Sequence, residues 1–140
     1  MIVSQQIIDF INQHHVLNLA TSKLNFPYCC NVFYVYDSKK NQLVFSTEPT
    51  TKHAQDFIAN PNVAGSIALV TKEVVKIEGV QLLGRIIKLE KKNLESATKM
   101  YFLAFPYARK MKINLWAMEL NFIKMTYNKS GFARKLVWQK

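Results

Sequence analysis

Phe45–Ile67 reads FSTEPTTKHAQDFIANPNVAGSI, and the rest of the chain can be organised outward from it. It opens as the end of a strand and turns. It then enters a short helix that Thr50 or Thr51 can cap, with Ala54, Phe57 and Ile58 along one side. Asn60-Pro61 stops the helix, because the residue before a proline is pushed out of the helical region. Val63–Val70 follows as a strand of small and β-branched residues. Thr50, Thr51 and Lys52 sit at the helix start, where free backbone N–H groups and the positive dipole end collect an anion. Two hydroxyls and an ammonium there suit a phosphate monoester. An ordinary capped helix with an exposed lysine is the commoner meaning of such a pattern. In that position a lysine has no favourable dipole interaction, so its removal is expected to cost little stability.

Upstream, Ser4 caps a first amphipathic helix on which Val3, Ile7, Ile8 and Ile11 fall at helical spacing, through about His14. Val16–Thr21 reads as a strand and Lys23–Pro27 as a turn. Tyr28–Tyr36 is apolar on both faces and is expected to be buried on both sides. Asp37–Asn41 turns the chain into Gln42–Thr47, completing a hairpin. Downstream, Val74–Glu90 is a long extended run in which Gly79 and Gly84 mark bulges or bends. Asn93 caps a third helix with Leu94, Ala97, Met100, Tyr101 and Ala104 as its stripe, ended or kinked at Pro106. Leu115–Tyr127 is strand-like, and Phe132–Trp138 forms a last basic, aromatic segment. Six or seven strands joined by tight turns, with three short helices, predict a mainly β (α+β) domain spanning 1–140. Strand succession favours an antiparallel sheet, and the glycines in the long strand favour closure into a barrel.

At 140 residues, 49% of them hydrophobic, the chain can bury a sizeable core, and a disordered or disulfide-stapled chain is excluded. No apolar run is long enough for a membrane-spanning helix. The N-terminal MIVSQQIIDF does not read as a secretory signal, and the two cysteines, Cys29 and Cys30, are adjacent and cannot readily bridge. A cytoplasmic location is therefore expected. The net charge of +10 lies wholly in residues 85–140, which favours anionic partners or is simply a solvated face. No dinucleotide, P-loop, C-x-x-C or zinc-helix motif occurs. His14, His15 and His53 do not make a metal site by spacing, so none is expected.

The segment Phe45–Ile67 resembles the strand, T-x-x-x-[ST]-x-K, helix, NP-x-V, strand pattern of the pyridoxamine 5′-phosphate oxidase-like, FMN-binding split-barrel superfamily. NVFYVYDSKKNQLVFST resembles that superfamily's second and third strands, and GVQLLGRIIKLE its long fifth strand. The tail AFPYARKM…LWAMELNFIKMTYN…GFARKLVW is closer to one branch, the YhbP family. The resemblance implies a six-stranded antiparallel split barrel flanked by short helices, and a homodimer with flavin sites at the subunit interface. It implies that Lys52, Thr50 and Thr51 hold the FMN phosphate. Ser46 and Thr47 lie along the ribityl chain, and Phe33, Tyr34 and Val35 lie beneath the ring. It also implies that Gln81 stands near the position of a family glutamine and that Trp116 reaches the ring from the partner subunit.

Three departures argue against vitamin B6 oxidation. The strand Asn31–Val35 carries no base, Gly79 occupies the glutamine position, and Arg134–Trp138 does not match the substrate-phosphate motif. A flavoprotein oxidoreductase of unknown substrate is expected. The alternatives are a non-redox module for another phosphorylated or planar ligand, such as haem on His14, His15 or His53, and a vestigial flavin fold. Nucleic-acid binding through Tyr107, Trp116, Phe132 and Trp138 is disfavoured. These aromatics alternate as core residues do, and no specific nucleic-acid partner is expected.

Overall fold

In the computed structural model, which describes residues 2–140, apolar alternation builds one seven-stranded antiparallel sheet. Its strands are β1 (Val16–Lys23), β2 (Phe26–Asp37), β3 (Gln42–Ser46), β4 (Asn62–Ala68), β5 (Glu78–Lys88), β6 (Leu115–Tyr127) and β7 (Arg134–Gln139). The order is β3-β2-β1-β4-β5-β6-β7, and β3 also pairs with β6. That pairing closes six strands into a barrel. β3 takes the first half of one β6 edge, Leu115–Glu119, and β7 takes the second half, Phe122–Tyr127. The mainly β, six-stranded antiparallel barrel read from the sequence is therefore the fold of this chain.

The barrel interior is filled by Leu17, Leu19, Tyr34, Leu43, Phe45, Ile67, Leu82, Met118 and Leu120 among others. Helix α1 (Gln5–Gln13) closes one end. Ser4 accepts from the Ile7 amide as its cap, and Ile7, Phe10 and Ile11 face the core. Helix α2 (Lys52–Ala59), capped by Thr51, closes the end formed by Thr21, Phe45 and Trp116. Its buried side is Ala54, Asp56 and Phe57, whereas Ile58, expected on that side, is 53% exposed. Helix α3 (Lys91–Ala104) and a 3₁₀ turn (Pro106–Lys110) cover the outer face of β3 and β6. There Val44, Leu89, Ala97, Tyr101, Phe105, Ala108 and Ala117 form a second, smaller core.

Several local expectations are corrected. Asn93 does not cap α3; the cap position is Glu90, and the Asn93 carboxamide instead accepts from the Lys40 ammonium at 3.0 Å. The turn before β2 is only Leu24-Asn25, both at positive φ, as a two-residue hairpin of the type I′ kind requires. Pro27 lies inside β2, in the part that β3 does not reach. The run from Val74 is not continuous strand, since Val74–Lys76 is a 3₁₀ turn. The bulge near Gly84 is carried by β6: Leu83 faces Phe122 and Gly84 faces Leu120, which leaves Asn121 over. Gly84 is required for a different reason, because a Cβ there would run into the Glu119 carbonyl oxygen.

β2 is fully buried on one face, and its other face is covered only toward its end, where Val35 meets α3. Val32, Tyr34 and Tyr36 point inward, while Cys29, Asn31 and Phe33 are exposed, Phe33 to 48%. The outer face of β2-β1-β4-β5 carries no helix over one continuous row, Asn31–Asn18–Ser66–Gln81.

Candidate functional site

The end of β3 and the start of α2 are locked together by polar groups. The Thr47 amide donates to the Asn114 carbonyl (3.0 Å), and the Thr47 carbonyl accepts from the Trp116 indole N–H (3.1 Å). The Thr47 hydroxyl lies 2.6 Å from His53 Nε2. Ser46 Oγ accepts from the Asn114 amide at 3.1 Å. Trp116 packs edge-on to Phe57, ring centroids 4.9 Å apart, and Phe57 in turn meets Phe45. The Thr51 hydroxyl donates to the Glu48 carbonyl (2.9 Å) and accepts from the Ala54 amide (3.3 Å) as the helix cap. The Gln55 amide returns to the Thr51 carbonyl. Among the described residues the amides of Lys52 and His53 have no acceptor, as the first turn of a helix leaves them. Thr50 beside them is exposed.

Lys52 has a structural duty that the sequence did not announce. Its ammonium lies 2.6 Å from Asp56 Oδ1, whose side chain is only 1% exposed, and 5.1 Å from the centroid of the Tyr28 ring. The second Asp56 oxygen accepts from the Thr21 hydroxyl at 2.9 Å. The hydrogen bond from Lys52, followed by that from Thr21, holds the Asp56 carboxyl below the usual carboxylate range despite burial. Without Lys52 the buried carboxylate would keep the Thr21 hydroxyl as its hydrogen-bond partner and only the more remote charge of Lys23, so the loss of this lysine costs stability. This corrects the expectation that it would cost little.

The sequence-predicted site residues fall in four places. Ser46, Thr47, Thr50, Thr51, Lys52 and Trp116 gather at the start of α2. Phe33 and Val35 share the outer face of β2. Phe33 stacks on Phe105 at 5.7 Å and lies 5.8 Å from His15, while Val35 is packed under the α3 cluster. Tyr34 points the opposite way, into the barrel, where its hydroxyl donates to the Ile11 carbonyl at 2.6 Å. Burial there pushes its pKa up. Its side chain therefore shares no surface with Phe33. Gln81 lies on the outer face three strands from β2, about 14 Å away at the usual strand spacing. His53, Asn114 and Phe57 are the members that sequence reasoning missed. His53 was visible two residues past the cap, but nothing local showed that its ring would turn back onto Thr47. Burial pulls the His53 imidazole below its usual pKa, against a smaller upward push from Asp56.

A second concavity, of about 260 Å³, opens between α1, β2 and the end of α3, lined by His14, His15, Tyr34, Val35, Tyr36 and Phe105 among others. His14 Nδ1 sits 2.8 Å from the Phe10 carbonyl and donates to it, which leaves Nε2 as the ring nitrogen turned away from that bond. Cys29 is exposed on the outer face of β2. Cys30 is half-buried, and burial followed by the neighbouring Cys29 pushes its thiol up to about 11, so it is not a thiolate nucleophile at neutral pH. Among the described residues no group of three or more His, Cys, Asp or Glu side chains gathers, and no helix is long and apolar enough to cross a membrane.

The barrel and its two capping helices are those of a known class. The chain superposes on a haem-binding protein from Mycobacterium smegmatis with a TM-score of 0.79 at 15% identity, over 99% of this chain and 60% of that one. It superposes on an FAD-binding protein from Mesorhizobium loti with a TM-score of 0.71 at 15% identity, covering 88% and 94%. A Listeria innocua protein provisionally named a pyridoxamine 5′-phosphate oxidase gives 0.69 at 13% identity, covering 86% and 94%. At these identities the likeness defines the split-barrel fold. No family model matches the sequence. The chain is 36% identical over 136 residues to a UPF0306 protein of Photorhabdus laumondii, covering 97% of this chain and 95% of that one. It is 35% identical over 131 residues to a UPF0306 protein of Yersinia pestis, covering 94% and 89%. It belongs to the UPF0306 family.

Proposed function

We propose that this protein binds flavin mononucleotide as a homodimer and acts as an oxidoreductase, in keeping with its resemblance to the YhbP branch of the oxidase-like superfamily. The observation that carries the reading is the start of α2. Two amides without an acceptor among the described residues and the exposed Thr50 hydroxyl lie where a phosphate monoester is best held, and the Lys52 ammonium stands one turn along the helix on Asp56. An ammonium has three donors, so Lys52 can keep Asp56 and still reach a phosphate oxygen. The phosphate end of FMN fits these residues. The ring end is incomplete in one chain, because Tyr34 faces inward and Gln81 is strands away. A second copy packed on the open β2-β1-β4-β5 face would complete it. Bound flavin would supply the electron or hydride transfer, while this chain would anchor, orient and desolvate it. A yellow preparation absorbing near about 450 nm, or saturable quenching of FMN fluorescence, supports the reading. A colourless protein that leaves FMN fluorescence unchanged overturns it.

The cavity at His14 favours one other reading. An imidazole whose Nδ1 is already fixed by a backbone carbonyl, in a cavity that Tyr34, Tyr36 and Phe105 also line, suits an axial haem ligand. Haemin titration decides between the two. A Soret shift that His14→Ala abolishes selects haem, and its absence leaves the flavin reading alone.

A further inference from the structure

Trp116 has two sides, and the flavin reading uses neither for a substrate. One side is fixed by Phe57 and by the hydrogen bond to Thr47. The other borders a separate surface cavity of about 380 Å³, walled by Trp116, Pro49, Leu94 and Ile113, with Lys88 and Asn114 as its polar members. That volume is at the lower end of the roughly 300–1,000 Å³ that small-molecule sites occupy. Lys88 stands directly across the ladder from Trp116, is exposed, and forms no ion pair among the described residues. The Asn114 carboxamide is already turned by its bond to Glu48 (3.2 Å), which leaves its oxygen free. An indole held in place, a proline ring and two branched side chains present flat apolar walls. One cation at the edge fixes orientation.

We infer that this cavity binds a small planar carboxylic acid, its ring against Trp116 and Pro49 and its carboxylate on Lys88. Among the described residues Lys88 is the only cationic side chain that lines the cavity, and a single ammonium matches a monoanion, so a carboxylate is favoured over a phosphate. A phosphate dianion gathers several donors, as at the start of α2. Both walls are preorganised by contacts outside the cavity, so little is lost in ordering them on binding. The inference stands on the cavity itself and needs no flavin, so its test contains none and can fail independently of the flavin reading.

The test is titration of the flavin-free protein with 2-naphthoate, read from the indole N–H resonances of Trp116 and Trp138 in a ¹H–¹⁵N spectrum. The Trp116 resonance should move saturably while that of Trp138, in β7, stays in place. Lys88→Met should weaken 2-naphthoate binding about fivefold, the scale of a partly solvated ion pair, and leave the neutral 2-naphthalenemethanol unchanged. Lys92→Met should affect neither. Leu94→Trp, which fills the cavity, should remove both ligands while the dispersed spectrum reports an intact fold. No saturable shift at millimolar 2-naphthoate overturns the inference. So does equal binding of acid and alcohol, or equal loss from Lys88→Met and Lys92→Met.

Discussion

The start of α2 and the outer face of β2 lie on the same barrel and are finished to different degrees. At α2 nearly every polar group of Ser46, Thr47 and Thr51 has a partner inside the chain, and Asp56 is sealed between Lys52 and Thr21. On β2 and its neighbours, Val16, Phe33 and Leu83 remain 41%, 48% and 49% exposed around a neutral polar row. A cluster built by tertiary contacts offers only the donors it leaves over, here two amides, one hydroxyl and part of one ammonium. A face of exposed apolar side chains and neutral polar groups, with Arg85 beside Leu83 as a charge, is suited to a second protein surface. The difference separates a polar cluster with a few donors left over from an open sheet face, although the sequence reading placed residues from both in one flavin site.

The comparison breaks most visibly at Phe57. It is 2% exposed and carries both Phe45 and Trp116, so Phe57→Ala should cost about 3–5 kcal/mol in urea denaturation. A loss below about 1 kcal/mol would mean that the α2 cluster is not the rigid half of the pair.

Lys52→Ala sharpens the contrast by acting on two properties at once. It should weaken FMN about 5- to 150-fold, equivalent to about 1–3 kcal/mol, and also lower the melting temperature; Lys39→Ala in the β2–β3 turn should do neither. Adding Asp56→Asn should restore melting but not affinity, because the neutral amide no longer needs the cation. Equal FMN affinities for Lys52→Ala and Lys39→Ala would move the phosphate elsewhere. Because the folded-state pKa of Asp56 is depressed, the stability it contributes is present above its ordinary carboxylate value and is lost as pH falls through the lower, folded one. Acid denaturation should therefore begin at higher pH in Lys52→Ala.

A charge on the open face should change assembly and little else. Phe33→Glu should convert a dimer into a monomer by sedimentation at micromolar concentration, with monomer stability altered by no more than about 0.5 kcal/mol. Native protein that sediments only as monomer would remove the assembly surface from the comparison.

The smallest expected effect is at His53. Its folded-state pKa is lowered, so its contribution is complete above the ordinary imidazole value and shrinks as pH falls below it. Melting temperature should decline gently from about pH 6.5 downward, and His53→Gln should flatten that slope without changing the value at pH 8. A slope that survives the substitution would mean that His53 is not its source.

What the sequence determined by itself was whatever local chemistry dictates. Ser4 and Thr51 cap their helices because a short hydroxyl before an amphipathic run has one good acceptor role. Asn60-Pro61 stops α2, and period-two alternation lays out the strands whose antiparallel succession closes the barrel. The start of α2 was legible as a capped helix start with free amides for the same reason, since those amides belong to one short segment. Only the tertiary structure decided the rest. A strand apolar on both sides does not reveal which face turns inward, so Tyr34 and Phe33 could not be separated until α1 and α3 were packed against β2. Asp56, one turn beyond Lys52, reads as a solvated acid until Thr21 arrives from 35 residues away to seal it. Trp116 and Thr47 are 69 residues apart, and their hydrogen bond exists only because β6 pairs with β3. Contacts of that span follow from barrel closure, which no local pattern encodes.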